Sequence, residues 1–363
     1  MAINLASKYS SAIDEVVKKE SLTDRAVNSD YDFVGAQSVK VYSFGTAPMN
    51  DYQASGMSRY GTPAELEDSV QEMVMGKKRA FTFTIDKTNA VDSPEGVRDA
   101  GKALSRQLKN AVIPEIDTYR IGILAENAGT KTYTEVTKDN AYSAFLTANA
   151  QISDKEMPTE GRIAYISSEY YALIKQDTSF VKASDIAQDM LIRGQVGSVD
   201  GVALVITPSV RMPGGVSFII THPIACTAPT KIAEYKIHEN PPGIAGHLVE
   251  GLVYYDAFVL NNKKNAIAVN YGKSGALTAS MTAGESGKGT LSVSGVTNGG
   301  TLVYKTGASV SAAALGADVS SWTEVPSGGV ISATASHKIA VALRGKDGKA
   351  ISTAAVITVA VGS

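Results

Sequence analysis

The chain has one cysteine in 363 residues, Cys226. No disulfide framework within the chain follows from a single thiol, and zinc sites made only of cysteines are excluded with it. Net charge is nearly absent too: 34 basic and 36 acidic side chains leave a formal −2. That is no electrostatic footprint for nucleic acid or an anionic membrane, so contact with DNA would have to be made without gripping it. No run approaches the roughly eighteen apolar residues of a membrane span. Residues 1–11 hold no basic segment followed by an apolar one, so the expectation is synthesis and folding in a cytoplasm, with later export by some other route left open.

Catalytic signatures are missing as well. There is no Gly-x-Ser-x-Gly elbow, and Cys226 has none of the surroundings of a nucleophile family. Of the four histidines, His222, His238 and His247 lie near Cys226 in sequence, but their gaps match no common zinc spacing; His337 stands apart. Residues 284–290 (GESGKGT) and 272–274 (GKS) faintly resemble a phosphate-binding loop, yet Thr282 and Ile267 occupy the places of the required first glycine. The acid pairs Asp14/Glu15 and Glu65/Glu67 sit in polar stretches and read as solvated faces. The expectation is a protein without cofactor, metal site or enzymatic activity.

What is present is a folded chain, 44% hydrophobic and 19% charged, long enough for two or three domains. Its most organised stretch is residues 93–129, where Val97, Ala100, Leu104, Leu108, Ala111, Val112, Ile116, Tyr119 and Ile123 recur in steps that place them on one side of a helix. Asp92 or Ser93 is a cap, Pro94 fits the first helical position, Glu95 favours the positive end of the dipole, and Asn127 with Gly129 supplies the stop. Pro114 falls inside and predicts a kink or short break. At 1.5 Å per residue the rod would span about 50 Å, which suits a spine under an extended subunit.

Around it, residues 1–30 read as an arm with one short helix. Residues 39–44 and 79–85 read as strands that pair with each other, Phe81, Phe83 and Ile85 alternating with Ala80, Thr82 and Thr84. Between them, residues 48–78 form a loop far longer than a hairpin needs, with Asp51, Tyr52, Ser55, Gly56, Arg59, Tyr60 and Gly61 at its tip and a weakly helical piece over 63–75. Such a loop is costly to order unless a neighbouring molecule orders it.

Helices are expected over 137–156, 168–175 and 183–193, and strands over 162–166, 202–206 and 216–220, an α+β or α/β layer. Residues 222–242 are short pieces broken by prolines. Strands over 252–260 and 266–269 flank a charged hairpin-type turn at 261–264. From 272 onward Gly, Ser, Thr, Ala and Val dominate. Short apolar runs at 291–293, 302–304, 339–343 and 356–361 are separated by turn signals at 298–300 and 346–349, as in a small β-sandwich, and 272–275 reads as its hinge.

The order of these parts resembles the major capsid protein of tailed bacteriophages, with the Hong Kong 97-type fold. VKVYSFGTAPMNDYQASGMSRYGTPAELEDSVQEMVMGKKRAFTFTID (39–86) is similar to the extended loop of that family, VIPEIDTYR (112–120) to its spine, GVALVITPSVRMP (201–213) to an axial-domain strand, and EGLVYYDAFVLNNKKNAI (250–267) to the last strands of the peripheral domain. The resemblance covers roughly residues 1–270, and the remainder resembles a bacterial immunoglobulin-like domain. It implies an α+β capsid fold: N-terminal arm 1–36, extended loop 37–92, peripheral domain with spine helix 93–156 and 222–271, axial domain 157–221, and an all-β surface domain 272–363. It further implies self-assembly as hexamers and pentamers into an icosahedral virion shell around double-stranded DNA, inside a host bacterium. Scaffolding and portal proteins are the implied further partners, and no membrane is involved.

A wall of near-neutral charge holds packed DNA without retaining it, because each neutralised phosphate would add salt-dependent affinity. Arg59, Tyr60, Lys77, Lys78 and Arg79 are the candidate contacts between subunits. Some family members crosslink a loop lysine to an asparagine, but no motif assigns that role to Lys77, Lys78 or Asn89. Two other classes stay open at this level. One is a surface or secreted adhesin built on the immunoglobulin-like module, which would leave the spine and long loop without a use. The other is an enzyme with its site in the middle layer, where no residues converge.

Overall fold

A computed structural model of the chain describes residues 21–31, 33, 37–47, 49–57, 59–62, 65–66, 68–87, 100–177, 197–272, 277–285, 287–296, 300–353 and 356–361. The predicted short helix of the arm, the predicted helix over 183–193 and the caps at 92–95 lie outside these residues. After a short 3-10 turn (Asp24–Ala26) come strands β1 (Ser38–Phe44), β2 (Asp68–Val74) and β3 (Lys77–Asp86). The spine follows as helix α1 (Ala100–Gln107), a π-helical turn (Leu108–Val112) and helix α2 (Ile113–Glu126).

Next to Pro114, where the sequence predicts a kink or short break, the α-helix is interrupted by this wider turn, and the Ile113 N–H reaches back to the Leu108 carbonyl. A proline lacks an N–H and crowds the preceding turn, and a π-bulge accommodates both defects without breaking the rod. The described part of the spine measures about 40 Å at 1.5 Å per residue.

Beyond it come β4 (Thr130–Thr132), α3 (Ala141–Ser153), β5 (Ile163–Ser167), α4 (Ser168–Gln176), β6 (Ser198–Val199), β7 (Val202–Thr207), β8 (Phe218–Thr221), β9 (Cys226–Thr227), β10 (Thr230–Glu239), β11 (Gly246–Tyr255), β12 (Phe258–Val259) and β13 (Ile267–Asn270). Six strands form the central mixed sheet, in the order β4-β13-β8-β5-β7-β6. Its strands read as continuous apolar runs because both faces are covered. On one face Tyr165, Ile219, Ile267 and Val269 meet Ile121, Leu124 and Ala125 of α2. On the other, Ala164, Ile166, Phe218, Ile220 and Ala268 meet Phe145, Ala148 and Ile152 of α3 and Tyr170 and Ile174 of α4. Each such fully buried aliphatic or aromatic side chain contributes about 1.5–3 kcal/mol.

A second sheet, β10-β11-β3, lies against α1, with Ile85, Tyr235, Val249 and Val253 over Leu104 and Leu108. Here the structure corrects the expected pairing of 39–44 with 79–85: β3 runs antiparallel to β11, and among the described residues β1 pairs with β2 alone. The alternating face of β3 needs a helix to cover it, and α1 supplies one on the β11 side. The piece expected to be weakly helical within 63–75 is strand β2 over Asp68–Val74, because Met73 and Met75 are drawn under Phe33, Tyr254 and Leu260. Residues 222–242, expected as broken pieces, contain the ten-residue β10, whose Ala233, Tyr235 and Ile237 alternate with charged residues. The strands flanking 261–264 do not form a hairpin either, since β12 pairs with β9 and β13 with β8 and β4.

The C-terminal part contains β14 (Thr278–Ala283), β15 (Lys288–Ser294), β16 (Thr301–Gly307), β17 (Thr323–Glu324), β18 (Val330–Ser332), β19 (Lys338–Arg344), β20 (Ala350–Thr353) and β21 (Ile357–Thr358). They make two sheets, β14-β15-β18 and β17-β16-β19-β20, with β21 on the edge of β19. Leu291 and Ile331 of the first sheet and Ile339, Val341 and Leu343 of the second share one apolar cluster with α2 and the central sheet. The 284–290 stretch with its faint phosphate-loop pattern spans the turn of the antiparallel β14–β15 hairpin, not a strand-to-helix junction. Gly272, placed in the expected hinge, is fixed: its carbonyl accepts from Val136 N–H at 3.1 Å, and a Cβ on it would come 2.2 Å from the Thr134 carbonyl oxygen.

Candidate assembly surface

The pair β1–β2 is a ribbon of seven paired rows, from Ser38 opposite Val74 to Phe44 opposite Asp68, with no third strand among the described residues. A ribbon of two strands is marginal on its own in water. Its base is therefore held by the body. Asp256 is the central acceptor there, taking Gly76 N–H at 2.7 Å, the Tyr119 hydroxyl at 2.6 Å and Ala257 N–H at 2.9 Å. The Tyr254 hydroxyl donates to the Met75 carbonyl at 3.1 Å. Gln71 bridges the ribbon to Val259 and Asn261 at 3.0 and 2.9 Å. Burial, then the bond to Asp256, pushes the Tyr119 hydroxyl well above the usual tyrosine range.

At the far end the loop closes on itself. Gln53 N–H donates to the Arg59 carbonyl at 3.0 Å, Arg59 Nε to the Gly56 carbonyl at 3.4 Å, and Tyr52 meets Tyr60 edge to face at 5.4 Å. Gly61, at φ +88°, lies against Asn50 so closely that a Cβ would come 2.4 Å from its amide nitrogen. The tip is thus a shaped surface that presents Met49, Met57 and Tyr60 to solvent. Nine of the thirteen large hydrophobic side chains exposed among the described residues fall between Tyr42 and Val74. Concentration of that kind marks an interaction site, because scattered apolar residues would need no explanation.

The structure brings Arg59 and Tyr60 together at this tip and leaves Lys77, Lys78 and Arg79 at the base. The length of β2 between them is about 20 Å at 3.3 Å per residue. All three basic residues are exposed and already engaged within the chain. Lys77 lies over the Tyr119 ring at 4.9 Å, Lys78 over Tyr254 at 5.0 Å, and Arg79 pairs with Glu115 at 2.5 Å. The hydrogen bond to Glu115 raises the Arg79 guanidinium above its ordinary value.

A second anchor escaped the sequence reading. Buried Asp117 on α2 accepts from Ser21 Oγ at 2.8 Å, Leu22 N–H at 3.1 Å and Thr23 Oγ1 at 2.7 Å, and pairs with Arg211 at 3.1 Å. One turn on, Arg120 pairs with Asp24 at 2.7 Å. These bonds tie the start of the described chain to the spine. The available signal was an acid and a base on an otherwise apolar helical face; Asp256, alone within the apolar run 252–260, was another.

The remaining polar candidates are dispersed. His222 Nδ1 accepts from Ile224 N–H at 3.1 Å, so its Nε2 carries the hydrogen and donates to the Glu160 carbonyl at 3.0 Å. His238 meets Glu250 at 3.2 Å. Cys226 is buried, and burial pushes its thiol up to about 12. Among the described residues no three or more His, Cys, Asp and Glu side chains come together to hold a metal ion.

No protein-family profile matches the chain, and no curated protein matches it by sequence. Solved structures do match in fold. A structure from Mycobacterium phage Che8 is 17% identical, with a TM-score of 0.57, over 69% of this chain and 90% of that one. The capsid structure of cyanophage P-SCSP1u is 15% identical, with a TM-score of 0.54, over 68% and 84%. The asymmetric unit of the bacteriophage PhiM1 mature capsid is 10% identical, with a TM-score of 0.54, over 69% and 86%. At such identities the likeness establishes a fold: this chain has the mixed α+β fold seen in phage capsid structures.

Proposed function

We propose that this chain is the major capsid protein of a tailed bacteriophage, assembling as hexamers and pentamers into an icosahedral shell around double-stranded DNA. The observation that carries the reading is the apolar, two-stranded ribbon on a fold otherwise found in phage capsids. Its exposed side chains call for a covering surface, and a second copy is always present at equal concentration.

In this reading residues 1–36 are the arm, 37–92 the extended loop, 93–156 and 222–271 the peripheral domain, and 157–221 the axial domain. Residues 272–363 are the immunoglobulin-like surface domain. Arg59 and Tyr60 make contacts at the loop tip, and Lys77, Lys78 and Arg79 make them at its base. Scaffolding and portal proteins are the remaining partners, and DNA meets the inner face without sequence-specific contacts. Assembly takes place in the host cytoplasm.

Expression of the full chain followed by electron microscopy tests this directly. Shells or capsomer-like rings are expected, and the charge reversal Arg59→Glu should lower particle yield. Particle yield unchanged in Arg59→Glu would remove Arg59 from the interface. A chain that stays monomeric under all assembly conditions would remove the proposal.

A further inference from the structure

We infer that the C-terminal sandwich is a clamp built into the chain: it docks on the body through the β19–β20 turn and holds the end of the spine helix against the central sheet. This does not depend on the capsid reading. The turn is residues 345–349, closed by Gly345 N–H to the Lys349 carbonyl at 2.9 Å and by Gly348 at φ +79°. By sequence it is only a turn signal, yet each of its polar side chains reaches out of the sandwich.

Tyr133, just past β4, is the socket. Its ring stacks on Tyr271 of the body at 5.5 Å, its hydroxyl donates to Asp347, and Lys349 lies over the ring at 5.1 Å. The backbone of Gly316 also closes on it, so that a Cβ there would come 2.7 Å from the ring. Lys346 pairs with Glu126 in the last turn of α2 at 2.5 Å, and Asp347 also faces Lys131 of β4 at 3.8 Å.

A tethered display module would turn a polar, solvated face toward its carrier. This one shares an apolar cluster with α2, and at Gly215 its Ile351 carbonyl oxygen would lie 2.3 Å from an added Cβ. Three contacts on three body elements, α2, β4 and the 213–216 turn, make the joint rigid. A joint of this kind couples the opening of the two parts, since loss of the sandwich contacts would bare Tyr133, Tyr271 and Ile123 to water.

Hydrogen exchange on the full chain, read over residues 119–133 and 338–353, tests the coupling. Tyr133→Phe removes one hydroxyl and Lys346→Ala one ion pair, and both leave the sandwich interior untouched. Tyr133→Phe is expected to speed exchange about fivefold to tenfold and Lys346→Ala, whose ion pair is exposed, about twofold to threefold, in both segments together, leaving the β1–β2 ribbon unchanged, with Glu285→Ala on the far hairpin as an inert control. Faster exchange confined to 345–349, with 119–133 as protected as before, would show a local contact and overturn the clamp. So would wild-type protection in both segments of both variants.

Discussion

Replacing Asp256 with alanine perturbs the chain where its ribbon meets its spine. The carboxylate is 5% exposed and accepts from Gly76 N–H and the Tyr119 hydroxyl as well as from its own neighbour Ala257. Removing it strips two donors of their acceptor at a site that is half open, since Gly76 is exposed and Tyr119 half-buried, and water replaces part of what is lost. A hydrogen bond to a charged acceptor is worth about 1.5–3 kcal/mol, and with partial rehydration of the donors the total loss is about 2–3 kcal/mol. Tyr119→Phe removes one of the two partners without stranding a donor and should cost about 1–2 kcal/mol. In the double variant the Tyr119 hydroxyl is no longer there to be stranded, so its loss should fall short of the sum by about 1 kcal/mol or more. Denaturant unfolding measures all three, and hydrogen exchange at residues 75–77 locates the opening. A loss under about 0.5 kcal/mol for Asp256→Ala, or strict additivity in the double variant, would refute the anchoring role.

Three further outcomes are expected. Phe44 is 74% exposed, so of the roughly 200 Å² of an aromatic side chain about 150 Å² is open to a partner. Covering half of that is worth about 2 kcal/mol, and Phe44→Ser should raise the concentration needed for self-assembly about thirtyfold at unchanged monomer stability, as light scattering would read. An unchanged threshold would take Phe44 out of the contact. Gly122 lies inside α2 beside a cleft of about 210 Å³ between the spine and the sandwich, and a Cβ on it would meet nothing within 4 Å. Gly122→Ala should therefore stabilise the chain by about 1 kcal/mol in thermal unfolding, and a destabilised variant would show that the cleft is not open to it.

Burial raises Tyr165 and Tyr170 well above the usual tyrosine range. Because the folded values exceed the unfolded one, this stability is complete below about pH 10 and is lost as pH rises beyond it, at about 1.4 kcal/mol per unit for each residue. Tyrosinate absorbance should thus appear together with cooperative unfolding. Titration of both residues near pH 10 in an intact fold would contradict it.

Elements with one dominant local cause were readable from the sequence. The period of the spine, the alternation of β3 and the apolar runs of β5, β7 and β8 each state a buried face directly. Pairing was not readable. β1 and β3 look like natural partners until α1 is seen to cover β3, and β2 has little strand propensity until Met73 and Met75 are seen in their socket. Of the site, Arg59 and Tyr60 were visible as part of an overlong loop. The apolar surface around them was not, because Tyr42, Phe44 and Val70 would be buried in any strand with a second layer packed on its face. The turn at 346–349 read as punctuation, and its contacts with Tyr133 and Glu126 emerge only from the docking of the two parts.

Self-association through the ribbon is the central claim, and an electron cryomicroscopy reconstruction of whatever the full chain forms tests it most directly. The account predicts closed shells or rings in which residues 42–74 lie against a second copy. Dispersed single molecules under every condition, or particles in which that ribbon points freely into solvent, would contradict it.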